Sequence, residues 1–100
     1  MLNIEKTQNN DTLTVALDGR LDTTTAPQLE SELKAALDDV NALVIDMKKL
    51  AYISSAGLRV LLSAQKVMNK KGGMVVRNVN AEIMDIFDVT GFVDILTIEG

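Results

Sequence analysis

Strand-like and helix-like stretches alternate along nearly the whole chain, and that alternation constrains its fold more than any other feature. In "TLTVALDG", Leu13, Val15 and Leu17 fall on one side and Thr12, Thr14 and Ala16 on the other, the period of a half-buried strand. "LNIEK" before it is a short strand and "NND" at 9–11 a turn, which together predict a hairpin at one edge of a sheet. "TTTAPQLESELKAALDD" then carries a helix start. Thr25 stands as cap, Gln28 as its capping-box partner three residues on, and Pro27 in the first turn, where its missing N–H is harmless. Leu29, Leu33, Ala36 and Leu37 recur at helical spacing. "ALVID" is a continuous apolar run ending in Asp46, a pattern suited to a strand covered on both faces.

The alternation continues. After "MKKLAYIS", the helical stripe Leu58, Leu61, Leu62 and Met68, widened by Val60, Ala64 and Val67, runs to Gly72 and Gly73. "MVVRNV" predicts a third buried strand. "NAEIMDIFDVTG" predicts a short helix with Asn80 as cap, Ile83, Ile86 and Phe87 inward, and Gly91 as stop. "DILTIEG" predicts a last, edge strand. Such an order specifies an α/β fold: a mixed, mostly parallel sheet of four to five strands with helices packed against it through right-handed crossovers. One domain, residues 1–100, accommodates all of it, with no linker, repeat or low-complexity tract.

Composition narrows the function. The chain has no Cys and no His, which removes thiolate chemistry, disulfides, the usual zinc ligands and the commonest general base at neutral pH. Aromatic residues are 3% and net charge is −4, so neither a stacking platform nor a basic face for nucleic acid is expected. Lys48, Lys49, Lys66, Lys70 and Lys71 form small clusters and read as solvated helix ends. No apolar segment approaches membrane-spanning length and the N-terminus lacks a signal-peptide core; a cytoplasmic protein without membrane attachment is the expectation.

In sheets of this kind, ligands and partners meet the carboxyl ends of the strands, where loops enter helices. Three joints qualify: "DGRLDTTTAPQ", "DMKKLAYISSAGL" and "RNVNAEI". The second holds Ser55 two residues before Gly57, at the start of the longest helix. A serine there can cap the helix, its commonest role. It can also present its hydroxyl to another protein, and a phosphate on it would suit the positive end of the helix dipole. Gly57 could let a partner's backbone approach closely. Asp18, Asp22 and Asp46 are possible magnesium ligands, but no phosphate loop accompanies them and a cap or turn role is the ordinary reading. A serine hydrolase would need a base that only a lysine could supply, and none stands at catalytic spacing. No metal, cofactor or enzymatic activity is expected.

The stretch "LVIDMKKLAYISSAGLRVLLSAQKVMNKKGGMVVRNVNAEIMDIFDVTGF" resembles the core of a STAS domain of the bacterial anti-sigma factor antagonist (anti-anti-sigma factor) type, and "LTVALDGRLDTTTAPQLESEL" resembles the opening of the same domain. The likeness covers almost the entire chain and matches the element order above. It implies a partner-switching regulator that captures an anti-sigma serine kinase of the histidine-kinase-like ATPase fold while unphosphorylated. Phosphorylation of one serine releases that kinase, and a PPM-type phosphatase reverses the modification. The family's acceptor stands two residues before a glycine in Asp-Ser-Ser-Gly or Asp-Ser-Thr-Gly, which carries over to Ser55 with Gly57 as the matching glycine. Here Ser54 replaces the usual Asp and Ala56 the second hydroxyl residue, so Ser54 is a competing acceptor. The implied partner surface comprises Asp22 in the 18–24 loop, Ser54, Ser55, Ala56, Gly57 and Arg59, with Ser63 and Lys66 on the exposed side of the helix. A monomer is expected of a protein that exchanges partners. The alternative is a STAS interaction subunit that is never phosphorylated and packs into a larger assembly such as a transporter complex.

Overall fold

The alternating pattern closes into a single five-stranded sheet in the order β1-β2-β3-β4-β5, seen in a computed structural model that describes residues 1–99. The elements are β1 (Leu2–Asn9), β2 (Thr12–Leu21), α1 (Ala26–Ala36), β3 (Ala42–Ile53), α2 (Ser55–Met68), β4 (Met74–Arg77), α3 (Ala81–Thr90) and β5 (Thr97–Glu99). β1 pairs antiparallel with β2 through a tight turn at Asn10, whose backbone is left-handed (φ 58°). The remaining pairs are parallel, joined by the three helices. This is the mixed, mostly parallel α/β architecture that the sequence predicts.

Apolar alternation decides which face the helices cover. Leu13, Val15 and Leu17 of β2, Leu43, Ile45 and Met47 of β3, and Met74 and Val76 of β4 are all buried. Leu29 and Leu33 of α1, Leu58 and Leu61 of α2, and Ile83 and Phe87 of α3 are buried in the same core. Each such apolar side chain contributes about 1.5–3 kcal/mol over leaving it in water. The expectation that β3 and β4 are covered on both faces is not met. Their intervening residues Ala42, Val44, Asp46 and Val75 are only half-buried, because sequential parallel strands that advance in one direction carry all their right-handed crossovers on one side.

β3 does not end at Asp46 but runs seven residues further, to Ile53. Its pairing with β2 shifts twice, from Ala16↔Asp46 to Asp18↔Lys49 and from Gly19↔Leu50 to Arg20↔Tyr52. Each shift is a bulge with an extra residue on β3. Burial accordingly switches from every second residue to every third: Met47, Leu50 and Ile53 face the core, while Lys48, Lys49, Ala51 and Tyr52 are exposed. That hides the strand from a period-two reading.

Two smaller expectations also change. The last strand spans only Thr97–Glu99, because Phe92–Asp94 form a 3-10 turn and the Ile95 and Leu96 amides both donate to Phe92 O; Gly100 lies outside the described residues. Lys71 is no freely solvated helix end. Its ammonium donates to the carbonyls of Leu37, Asp38 and Val40, tying the end of α2 to the end of α1.

Candidate functional site

All three joints lie at the carboxyl ends of the parallel strands, and the middle one is the most organised. Ser54 is extended (φ −100°, ψ 176°) and caps α2, its Oγ accepting from the Gly57 amide at 3.4 Å. Its own amide donates to Leu21 O at 2.9 Å, which clamps the end of β3 to the end of β2. Ser55 is thereby the first residue of α2, exposed, and its hydroxyl makes no hydrogen bond among the described residues. The amides of Ser55 and Ala56 have no acceptor one turn earlier, as at any helix start. One serine does the capping and its neighbour presents the hydroxyl.

Gly57 answers differently from its expectation. It is buried, and a Cβ built there would lie 2.7 Å from Leu21 Cγ, 2.9 Å from Ile53 Cγ1 and 3.0 Å from Leu21 Cδ2. Its missing side chain lets α2 settle onto the ends of β2 and β3 inside the molecule rather than admitting a partner from outside. Ala56 is half-buried, and Arg59, Ser63 and Lys66 share one exposed stripe of α2 at helical spacing.

The first joint is closed by Asp22. Its Oδ1 accepts from the Thr24 amide (3.0 Å), the Thr24 hydroxyl (2.7 Å) and the Thr25 amide (3.1 Å). The Thr24 hydroxyl is the largest influence holding this carboxyl below its usual range; desolvation opposes it, and the Thr24 and Thr25 amides reinforce it. The capping box expected of Thr25 and Gln28 does not form. The Thr25 hydroxyl donates to Arg20 O at 2.8 Å and accepts the Asp22 amide at 2.9 Å, while the Gln28 side chain turns to Leu2 O. Hydrogen bonds to the loop outcompete the local cap.

At the third joint Asn80 caps α3, its Oδ1 accepting from the Ile83 amide while its Nδ2 donates to Leu50 O, both at 2.9 Å. Asp46 sits at the first bulge of β3 and accepts from the Lys48 amide (2.9 Å) and the Asn78 side chain (3.1 Å). Burial pushes its carboxyl up, yet these hydrogen bonds and the charges of Lys48 and Arg77 leave it below the usual value. Asp18 and Asp46 share a cleft of about 220 Å³ with Glu5, Lys48 and Lys49, and Asp22 is not part of it. Among the described residues no three carboxylates are grouped to hold a cation.

One pair escapes the sequence reading. Arg20 and Tyr52 face each other across β2 and β3, with the guanidinium carbon 4.4 Å from the ring centroid. Only the second bulge brings them into register. Tyr52 being the sole tyrosine was the one signal available.

Comparison with known proteins agrees with the fold. The STAS domain family model matches residues 3–100. The anti-sigma-B factor antagonist of Bacillus subtilis is 31% identical over 98 residues, covering 97% of this chain and 90% of its own. The crystal structure of an anti-sigma factor antagonist from Mycobacterium paratuberculosis superposes with a TM-score of 0.88 at 24% identity, over 98% of this chain and 85% of that one. The Bacillus cell fate determinant SpoIIAA in its phosphorylated form has a TM-score of 0.74 at 16% identity, over 100% of this chain and 92% of that one. Among the described residues no helix is long and apolar enough to cross a membrane. The chain belongs to the STAS domain family, in its anti-sigma factor antagonist group.

Proposed function

We propose that this chain is a phosphorylation-switched antagonist of an anti-sigma serine kinase of the histidine-kinase-like ATPase fold. In the unphosphorylated state it binds that kinase through the corner formed by Asp22, Ser54, Ser55, Ala56 and Arg59. Phosphorylation of Ser55 releases it, and a PPM-type phosphatase restores the binding form. The kinase supplies the catalysis, and this chain is its ligand and its substrate.

The observation that carries this reading is the division of labour between the two serines. Ser54 Oγ is engaged by the Gly57 amide, whereas Ser55 is exposed and its hydroxyl has no hydrogen-bond partner among the described residues. An acceptor has to reach a kinase's active site, so Ser55 is preferred over Ser54. A phosphate on Ser55 adds about −1.5 to −2 charges next to unpaired first-turn amides. The helix dipole stabilises that charge by roughly 0.3–1 kcal/mol in an exposed setting, so α2 tolerates the modification. A partner packed over the same corner meets a desolvation cost and, where its own surface is acidic, repulsion.

The test incubates the protein with its kinase and ATP and locates the phosphate by mass spectrometry. Phosphate on Ser55, absent from Ser55→Ala and retained by Ser54→Ala, is expected; no transfer to either serine refutes the reading. Binding separates it from the role of an unmodified subunit in a larger assembly. The switch requires Ser55→Asp to lose affinity while Ser55→Ala keeps it, whereas a permanent subunit binds both alike.

A further inference from the structure

The geometry points to the Arg20–Tyr52 stack as a preformed anchor of the partner surface beside Ser55, taking a carboxylate of the partner on the Arg20 fork and an adjoining apolar side chain on Tyr52 and Ala51. The inference rests on the partner-switching reading and extends it to residues outside the serine turn.

Position comes first. The stack closes the ends of β2 and β3 immediately before Leu21 and Ile53, and the bond from the Ser54 amide to Leu21 O joins the two chains one residue further on. Tyr52 and Ala51 are both exposed only because β3 bulges there; regular alternation would turn one of them inward. Of the three aromatic residues, Phe87 is fully buried and Phe92 half-buried, so Tyr52 is the one offered to solvent, at 37% exposure.

The chemistry of Arg20 comes second. Its side chain is 56% exposed, with the guanidinium over the ring and its Nε 3.8 Å from Asp22 Oδ2, two contacts that orient it. No N–H of that guanidinium makes a hydrogen bond among the described residues, so its terminal nitrogens remain available as a planar pair of donors. Such a fork matches a carboxylate bidentately. An arginine held in place before binding loses less side-chain freedom when it docks. An exposed cation–π pair adds little to folding, so stability alone gives weak reason for the arrangement. Tyrosine and arginine are also the residue types that dominate binding energy at protein interfaces.

The experiment uses the full chain and the kinase that phosphorylates Ser55, with affinities read by calorimetry or surface plasmon resonance at low and high salt. Tyr52→Ala and Arg20→Ala are each expected to weaken binding by about tenfold or more. Tyr52→Phe keeps the ring and should bind like the parent. Arg20→Lys keeps the charge but not the fork, and should fall in between. Thermal midpoints within a few degrees of the parent show that the fold is intact, and loss of Arg20 should flatten the salt dependence of the association rate. Unchanged affinity in both alanine variants, alongside release by Ser55→Asp, overturns the anchor and leaves the switch standing. Weakened binding in both, with Ser55→Asp still bound, supports the anchor and refutes the switch. No binding by the parent chain overturns both.

Discussion

Gly57→Ala tests how α2, and with it Ser55, is seated. The new Cβ would lie 2.7 Å from Leu21 Cγ and 2.9 Å from Ile53 Cγ1, closer than real side chains sit. Leu21 Cγ is a branch point and Ile53 Cγ1 is bonded directly to one, in core side chains that are 0% and 2% exposed, so neither can swing away. Inserting a methyl group into such a site costs about 1–3 kcal/mol. Against that, replacing glycine by alanine reduces unfolded-state entropy and contributes about 0.4–1 kcal/mol where the backbone permits. Taking the middle of each range, the net expectation is a loss of about 1.3 kcal/mol, or roughly 5–10 °C in Tm for a domain of this size. Thermal and urea unfolding followed by circular dichroism measure it. A double-mutant cycle assigns the cause, since in a Leu21→Ala background the same methyl group enters a cavity and its cost should vanish or reverse. A Gly57→Ala protein as stable as the parent, or an unchanged penalty in the Leu21→Ala background, would refute the steric argument.

Three further outcomes follow from the same contacts. Ser54→Ala should cost about 0.5–1 kcal/mol in urea unfolding, the lower part of the N-cap range because the Gly57 contact is long, whereas Ser55→Ala should stay within about 0.5 kcal/mol; the reverse order would exchange the two roles. Asn80→Ala removes both the α3 cap and the bond to Leu50 O and should cost about 1–2 kcal/mol, with faster hydrogen exchange at the Ile83 amide as a local readout. Asp22 and Asp46 both titrate below the usual carboxylate value of 3.8 in the folded chain, so the unfolded chain binds protons first as the solution is acidified. Their stabilisation is complete above that value and lost as pH falls through the lower folded values; Asp22→Asn should flatten this acid limb of a stability–pH curve, and a curve unchanged by the substitution would count against the Thr24 and Thr25 contacts.

Much of the molecule is legible along the chain. The Leu13, Val15, Leu17 alternation, the helical stripe beginning at Leu29, the Asn80 cap and the Gly91 stop come out as read, because each depends on contacts within a few residues; the stripe beginning at Leu58 does so except at Val67, which is 44% exposed. The order of these elements alone specifies a mixed, mostly parallel sheet. The serine–serine–alanine–glycine turn marks the candidate site without saying which serine does what.

What needed the tertiary structure is whatever depends on two distant segments meeting. The extension of β3 through "MKKLAYI" is invisible to a period-two pattern, because pairing with β2 through two bulges changes its burial period to three. That pairing also sets Tyr52 against Arg20. Thr25 gives up its local cap because Arg20 O and Asp22 offer its hydroxyl better partners. The purpose of Gly57 is decided by Leu21 and Ile53, the former 36 residues away in the chain, whose packing leaves no room for a Cβ. Local propensity sets where helices and strands form, but long-range register and close packing determine which hydroxyl is left free.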